Sequence, residues 1–322
     1  MSSHLDPWQP LIGREMLLKR SRFFQQIRAF FASCHVMEVD TPILSTVTAT
    51  DPHLDSYEVH NPGSPGQPLF LLTSPEHAMK RLIADGSGAI FQITKAFRRD
   101  EAGSRHNPEF AMLEWYRPGF ELDELQSEVE ALLKYMGYQG RIQRLSYREV
   151  FKSACGLDPF EAPGDDLLHL AEETSGLAAS DMSLEMALDV LMSHQVEPSL
   201  ATLGAVFVYD YPASQAALAK VAEDQHGTLV AKRFELYING IEIANAYDEL
   251  SDPVEQRTRF EADNDVRREL GKRVIPLDQR LLQALPTMPG SSGIALGLDR
   301  LLMVLEGKTS IQEVLAFPNG AI

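Results

Sequence analysis

Apolar spacing defines the first long element. In REMLLKRSRFFQQIRAFFASC, residues 14–34, Leu17, Phe24, Ile27, Phe31 and Cys34 recur at intervals of 7, 3, 4 and 3. That spacing predicts a buried stripe on an amphipathic helix. HVMEVDTPIL follows as a short strand ending at Pro42, a residue with no N–H to give to a ladder. NPGSPGQP, residues 61–68, is a turn-rich loop.

AIFQITKAFRR and EFAMLEWY read as two strands joined by a polar loop. Period-2 alternation puts Phe110, Met112, Glu114 and Tyr116 on one face of the second strand, and Ala111, Leu113 and Trp115 on the other. Gln92, Thr94 and Arg98 share a face of the first. One side of the hairpin is therefore dry and the other carries chemistry.

Residues at about 120–200 read as mostly helical and acidic, as in SLEMALDVLMSHQ. AVFVYDYP is a buried type of strand, and KRFELYINGIEIANAYDEL is two strands around Asn239-Gly240, a pair suited to a two-residue type I′ turn. That turn pairs 237 with 242 and 235 with 244, leaving Glu235 and Glu242 diagonal on one face. SSGIALGLDRLLMVLEG reads as strand, turn and helix, with Gly307 as the C-terminal cap.

Two carboxylates on one sheet face repel unless a cation lies between them, so Glu235 and Glu242 are candidate Mg²⁺ ligands or else two solvated acids. Arg300 opposes the dipole at the start of the last helix, at a cost of ~0.3–1 kcal/mol. It engages an anion or π-system, or pairs with Asp299 or Glu306. Arg98 suits a phosphate clamp, or a surface ion pair with Asp100 or Glu101. His106 reads as loop packing or an N-cap, and His53 as structural rather than catalytic. Neither a Walker A sequence nor a strand-linked GxGxxG is present, and there is no nucleophile elbow or HExxH.

Hydrophobic residues make up 44% of the 322, ample for a core, and the two cysteines form no CxxC, which fits a reducing cytoplasm. No basic-then-apolar leader and no run of ~20 apolar residues is evident, so neither export nor membrane insertion is expected. A formal charge of −17 argues against nucleic acid as the main partner and favours a cationic one.

In order along the chain, VMEVDTPIL, FRRDEAGSRHNPEF and GIALGLDRLLM resemble motifs 1, 2 and 3 of the class II aminoacyl-tRNA synthetases. TSPEHAMKR and GIEIANAYDEL are similar to the amino-acid pocket of the lysyl branch. The likeness covers roughly residues 13 to 318. It implies an α+β fold, an antiparallel sheet flanked by helices, as one catalytic domain over 1–322 without an anticodon-binding domain. The whole pattern, with TATDPHL, HNPEFAMLEWYRP and FVYDYPASQAALA, resembles freestanding paralogues of that branch. Those attach (R)-β-lysine to a lysine of elongation factor P instead of charging tRNA.

The resemblance implies an ATP-dependent amino-acid–protein ligase, with ATP and Mg²⁺, and a homodimer formed through motif 1. Arg98, Arg99, Asp100 and Asn107 would hold ATP. Phe110 and Arg300 would sandwich the adenine, and Glu242, Ile243 and Gly297 would complete the nucleotide site. Glu235 and Glu242 would hold Mg²⁺. Ser74, Pro75 and Glu76 would wall the amino-acid pocket, Tyr116 and Glu249 would receive an amino group, and Glu114 and Asn245 would lie nearby. Asp100 stands where the family has glutamate and Ala246 where it has glycine. Ala295 replaces the glycine of lysyl-tRNA synthetases, and its methyl would disfavour an α-amino group. A minimal lysyl-tRNA synthetase and an inactive regulatory module are the competing readings.

Overall fold

The computed structural model describes residues 8–321. The strands are β1 (Met37–Glu38), β2 (Leu44–Ser45), β3 (Tyr57–Val59), β4 (Leu69–Leu71), β5 (Ile90–Phe97), β6 (Glu109–Pro118), β7 (Ile142–Ser146), β8 (Ala205–Pro212), β9 (Val221–Glu223), β10 (Leu229–Ile238), β11 (Ile241–Asp248) and β12 (Ser291–Gly297). The helices are α1 (Arg14–Ser33), α2 (Glu76–Ala84), α3 (Leu122–Tyr135), α4 (Tyr147–Cys155), α5 (Gly164–Ser175), α6 (Leu184–Leu191), α7 (Glu197–Leu200), α8 (Pro253–Glu269), α9 (Gln279–Ala284) and α10 (Leu298–Leu305). They fall into two compact units, one made of the residues up to Phe120, Ala131–Tyr138 and Ser251 onward, the other of Glu121–Glu130 and Gln139–Leu250.

In the first unit β6 pairs antiparallel with β5 on one side and β12 on the other, and β1 adds to β5 in parallel. The expected alternation on β6 holds. Leu113 and Trp115 are fully buried, and Phe31 of α1 stacks on Phe91 at 4.6 Å and meets Trp115 edge-on at 5.2 Å. The buried stripe of α1 is Phe23, Ile27, Phe30 and Phe31, while Leu17 is exposed. The expected stripe thus shares only Ile27 and Phe31 with the real one, because α1 turns Phe23 and Phe30 inward. The predicted strand over HVMEVDTPIL is two short ones flanking Pro42. β1 joins β5, and β2 joins a separate three-stranded sheet of order β2-β4-β3.

The last helix is as expected. Gly307 lies just beyond α10 at φ 62° and donates its N–H to Val304 O at 3.1 Å. Asp299 of α10 is buried; one carboxylate oxygen accepts the Ala111 N–H at 2.7 Å and the other lies 2.6 Å from Arg20. That carboxylate fastens α10 and α1 to β6.

In the second unit β10 lies between β11 and β8, both antiparallel, and β7 extends the sheet in parallel beside β8. The helical stretch expected at 120–200 therefore contains a strand, β7. Tyr147 and Phe151 of α4, Leu167 of α5, Leu188 and Leu191 of α6, and Val206 and Val208 of β8 form one core. α4 starts on a capping box in which Ser146 and Glu149 satisfy each other's backbone N–H.

Asn239 and Gly240 both adopt positive φ, 53° and 72°, as a type I′ turn requires. The register then departs from expectation. A bulge beyond Tyr237 places Asn245, not Ala244, opposite Glu235, while Glu242 stays opposite Tyr237. The extra residue re-aims Asn245 onto the face that carries Glu235.

A Cβ at Gly240 would sit 2.7 Å from the Glu197 carbonyl oxygen. Gly240→Ala should cost about 1–3 kcal/mol from its left-handed backbone, with the clash in addition. Urea unfolding checks this, and a change below about 0.5 kcal/mol would show that the turn relaxes freely.

Candidate functional site

In the first unit, β6 carries Glu114 between Gln92 of β5 and Ala295 of β12. The residue is 1% exposed. Ser74 donates its hydroxyl to one oxygen at 2.7 Å and Tyr116 its phenol to the other at 2.7 Å. Ser74 Oγ also accepts the Glu76 N–H at 3.0 Å, at the start of α2 beside the N-cap residue Pro75. Glu76 is held 2.6 Å from the ammonium of Lys80, itself 1% exposed. A cavity of about 330 Å³ opens beside Ser74 and Glu76 and is lined also by Thr73, His77 and Arg81. Burial first, and the Glu76 charge second, push the Glu114 carboxyl up to about 8. The Tyr116 and Ser74 hydrogen bonds and the Lys80 charge oppose that rise.

The same unit gathers the expected nucleotide residues. The Arg98 guanidinium lies 5.2 Å from the Phe110 ring centroid and 3.7 Å from Glu101. Its Nε is buried with no hydrogen-bond partner, an N–H that an incoming phosphate oxygen would satisfy. Arg300 Nε donates to Arg105 O at 3.1 Å, across from the polar loop. The two carboxylates considered as its partners are otherwise committed, Asp299 to Arg20 and Glu306 to Lys19 at 2.6 Å. Gly297 pairs with Met112 and caps the N-terminus of α10.

Two further expected nucleotide ligands, Asp100 and Asn107, make local contacts. Asp100, at φ 68°, presents a 77% exposed carboxylate and takes the Arg99 Nε at 3.0 Å. Asn107 is a brace, donating to Glu109 O at 2.5 Å and accepting the Asn319 N–H at 2.7 Å.

Asp55 organises the base of that loop. Its carboxylate lies 2.9 Å from Arg267, 2.9 Å from Lys272 and 3.5 Å from Arg99, and its carbonyl accepts the Arg99 N–H at 2.7 Å. Burial works against its charge, but the Lys272 and Arg267 hydrogen bonds prevail and hold its carboxyl below the usual range.

In the second unit, Arg233, Glu235, Tyr237, Glu242 and Asn245 share one face of β10 and β11. Glu235 accepts from Arg233 and from the phenols of Tyr211 (2.7 Å) and Tyr237. Arg233 also donates to Asn245 Oδ1 at 2.9 Å and Gln215 O at 2.9 Å, with its guanidinium 4.6 Å from the Tyr211 ring centroid. Burial opposes the Arg233 charge, but Glu235 outweighs it and keeps the guanidinium firmly protonated. Ile243 is buried in β11, and Glu249 is buried with a backbone bridge to Ala219.

This donor set bears on Mg²⁺. No cluster of three or more His, Cys, Asp or Glu suited to a metal occurs among the described residues. Mg²⁺ bound through one or two carboxylates and phosphate oxygens needs none. Glu242 and Glu235 fit that mode, with Glu235 limited to the acceptor capacity left by its three donors.

Lys80, Asp55, Arg233 and Tyr211 join these clusters without having been expected there. Lys80 sits at i+4 from Glu76 and Arg233 at i−2 from Glu235, spacings that place each pair together. Asp55 meets partners more than 200 residues away and has no local signal.

The family described as tRNA synthetases class II (D, K and N) matches residues 12–321. The chain belongs to that family. It is 44% identical over 317 residues to a protein of Vibrio atlanticus named elongation factor P--(R)-beta-lysine ligase, covering 97% of this chain and 98% of the relative. Proteins of the same name from Mannheimia succiniciproducens (43%, 97% of each chain) and Edwardsiella ictaluri (43%, 98% of each chain) are similarly close. Membership accounts for the mostly antiparallel sheets flanked by helices.

Asp55→Asn should lower stability at pH 7 by about 1–3 kcal/mol, because Arg267 and Lys272 lose their carboxylate. A depressed folded-state value contributes stability above the unfolded aspartate range, near 3.9, and loses it as pH falls through the folded value. The deficit should therefore be smaller at pH 3 than at pH 7. Urea unfolding at the two pH values checks this; a deficit independent of pH would remove the ion-pair explanation.

Proposed function

We propose that this enzyme activates (R)-β-lysine with ATP and transfers it to the ε-amino group of a lysine on elongation factor P, releasing AMP and pyrophosphate. What carries the reading is the relatives of that name, matched over nearly their whole length, together with the acidic cluster of Glu76 and buried Glu114 beside the cavity at Ser74. In the first step the β-lysine carboxylate attacks the α-phosphorus of ATP, and catalysis is mainly positioning and charge stabilisation.

Arg98 and Arg300 take the phosphate and adenine roles, with Phe110 beneath the base and Arg99 and Gly297 at the edge of the nucleotide site. Glu242 and Glu235 would hold Mg²⁺, which supplies charge neutralisation on the phosphates. Arg233, Tyr211 and Tyr237 keep Glu235 in place. Ser74, Glu76, Glu114 and Tyr116, with Glu249 and Asn245, take the amino acid. Ala295, directly opposite Glu114, narrows the room for an α-amino group. The two compact units serve as one catalytic domain. A charge of −17 draws in the lysine-bearing acceptor.

We place the enzyme in the cytoplasm. No helix among the described residues is long and apolar enough to cross a membrane. It acts as a homodimer that covers the exposed Leu17, Leu18, Met37, Ile43 and Leu44.

Amino-acid-dependent ATP–pyrophosphate exchange should be strongest with (R)-β-lysine; exchange with α-lysine alone would instead make the protein a minimal lysyl synthetase. Arg300→Ala should lower exchange at least about a hundredfold, and Glu249→Gln should weaken β-lysine activation. Ala295→Gly should narrow the β-over-α preference by about tenfold, read as the ratio of kcat/KM values. Light scattering should return twice the chain mass.

A further inference from the structure

The acidic cluster around Glu114 borders the cavity through Ser74 and Glu76, and it carries an imbalance of charge that a cationic ligand would resolve. Glu76, Lys80 and Glu114 are three ionisable groups in one largely water-free place, with side-chain exposures of 17% and 1% for Glu76 and Lys80, and Glu114 1% exposed as a residue. Lys80 is committed to Glu76 at 2.6 Å. The contacts to Glu114 are two neutral hydroxyls, from Ser74 and Tyr116. The other neighbours of Glu114 do not supply a cation. Its cross-strand partner on β5 is Gln92, bonded to Thr41 at 3.0 Å, and on β12 it is Ala295. α10 also packs on β6, but its Asp299 is turned to the Ala111 N–H and Arg20, and its Arg300 toward the Arg105 carbonyl.

A buried carboxylate beside a second carboxylate is costly unless something neutralises it. We propose that Glu114 exchanges a proton for the substrate's ammonium group. In the empty pocket it is a carboxylic acid, its O–H received by Ser74 or Tyr116, whose hydroxyls accept as well as donate. When a primary ammonium enters, the acid becomes the carboxylate that pairs with it, and one H⁺ leaves to solvent for each amino acid bound. No covalent bond to carbon changes. Lys80 already pairs with Glu76 at 2.6 Å, so the exchange is assigned to Glu114. The rise of the Glu114 carboxyl to about 8 accords with this. The inference rests on the proposed reading of the pocket as an amino-acid site.

The test is a ¹³C-carboxyl NMR titration of the intact enzyme labelled at glutamate Cδ, with the Glu114 signal assigned by its loss in Glu114→Gln. In the empty enzyme it should titrate near pH 8 and, with saturating (R)-β-lysine, stay ionised below pH 6. Calorimetry at pH 7 in buffers of different ionisation enthalpy should give release of about 0.9 H⁺ per site. The Kd should fall about tenfold from pH 6 to 7, a dependence lost in Glu114→Gln. A Glu114 signal titrating near 4 to 5 in the empty enzyme, or binding without proton release, overturns the exchange while leaving the amino-acid site standing. No binding of (R)-β-lysine or α-lysine would overturn the amino-acid reading itself, and the exchange with it.

Discussion

The antiparallel pairing of β6 with both β5 and β12 is the constraint on which the first unit depends. A strand paired on both edges has its backbone polar groups satisfied, so it can be buried on both faces. Leu113 and Trp115 use one face to hold α1 through Phe31. The other face brings Glu114 and Tyr116 into the interior. Because side chains alternate with a period of 2, the two sets cannot be exchanged without inverting the strand. The core that fixes β6 therefore also fixes the depth and direction of the Glu114 and Tyr116 side chains.

Burying those acids is stabilised differently at each place. Asp299 bonds a backbone N–H and Arg20, serving as a clasp between α10, α1 and β6. Asp55 gathers Arg99, Arg267 and Lys272, which ties the base of the polar loop to the C-terminal end of α8. Glu235 is surrounded by an arginine and two phenols. In each case nearby donors offset the desolvation of the carboxylate. Glu114 differs, since its donors are hydroxyls, and for that reason the proposed proton exchange is assigned to it.

Those choices suit adenylate chemistry. The reaction needs positive groups where phosphate charge develops and negative groups where amines are held. In the proposed function Arg98 and Arg300 supply the first, and Glu76 and Glu114 the second. Tight local networks limit how far each can move, so the geometry is set before substrate arrives.

Much of this was legible in the residue order. The alternation of EFAMLEWY, the Asn239-Gly240 turn and the Gly307 cap follow from local periodicity and backbone preference, and the ordered motifs carried the family. These are short-range properties of a chain, fixed by sterics and side-chain spacing within a few residues. What the sequence did not show depends on partners distant along the chain. The burial of Phe23 and Phe30 depends on what packs against α1, where Phe30 meets Tyr135 of α3 at 5.6 Å. The shift of Asn245 onto the Glu235 face follows from a bulge that only strand pairing creates. The role of Asp55 follows from cations more than 200 residues away. Local pattern determined which elements form and which faces bear chemistry. The tertiary structure alone decided which charges are neutralised, because desolvation and pairing depend on every neighbour that packing brings near.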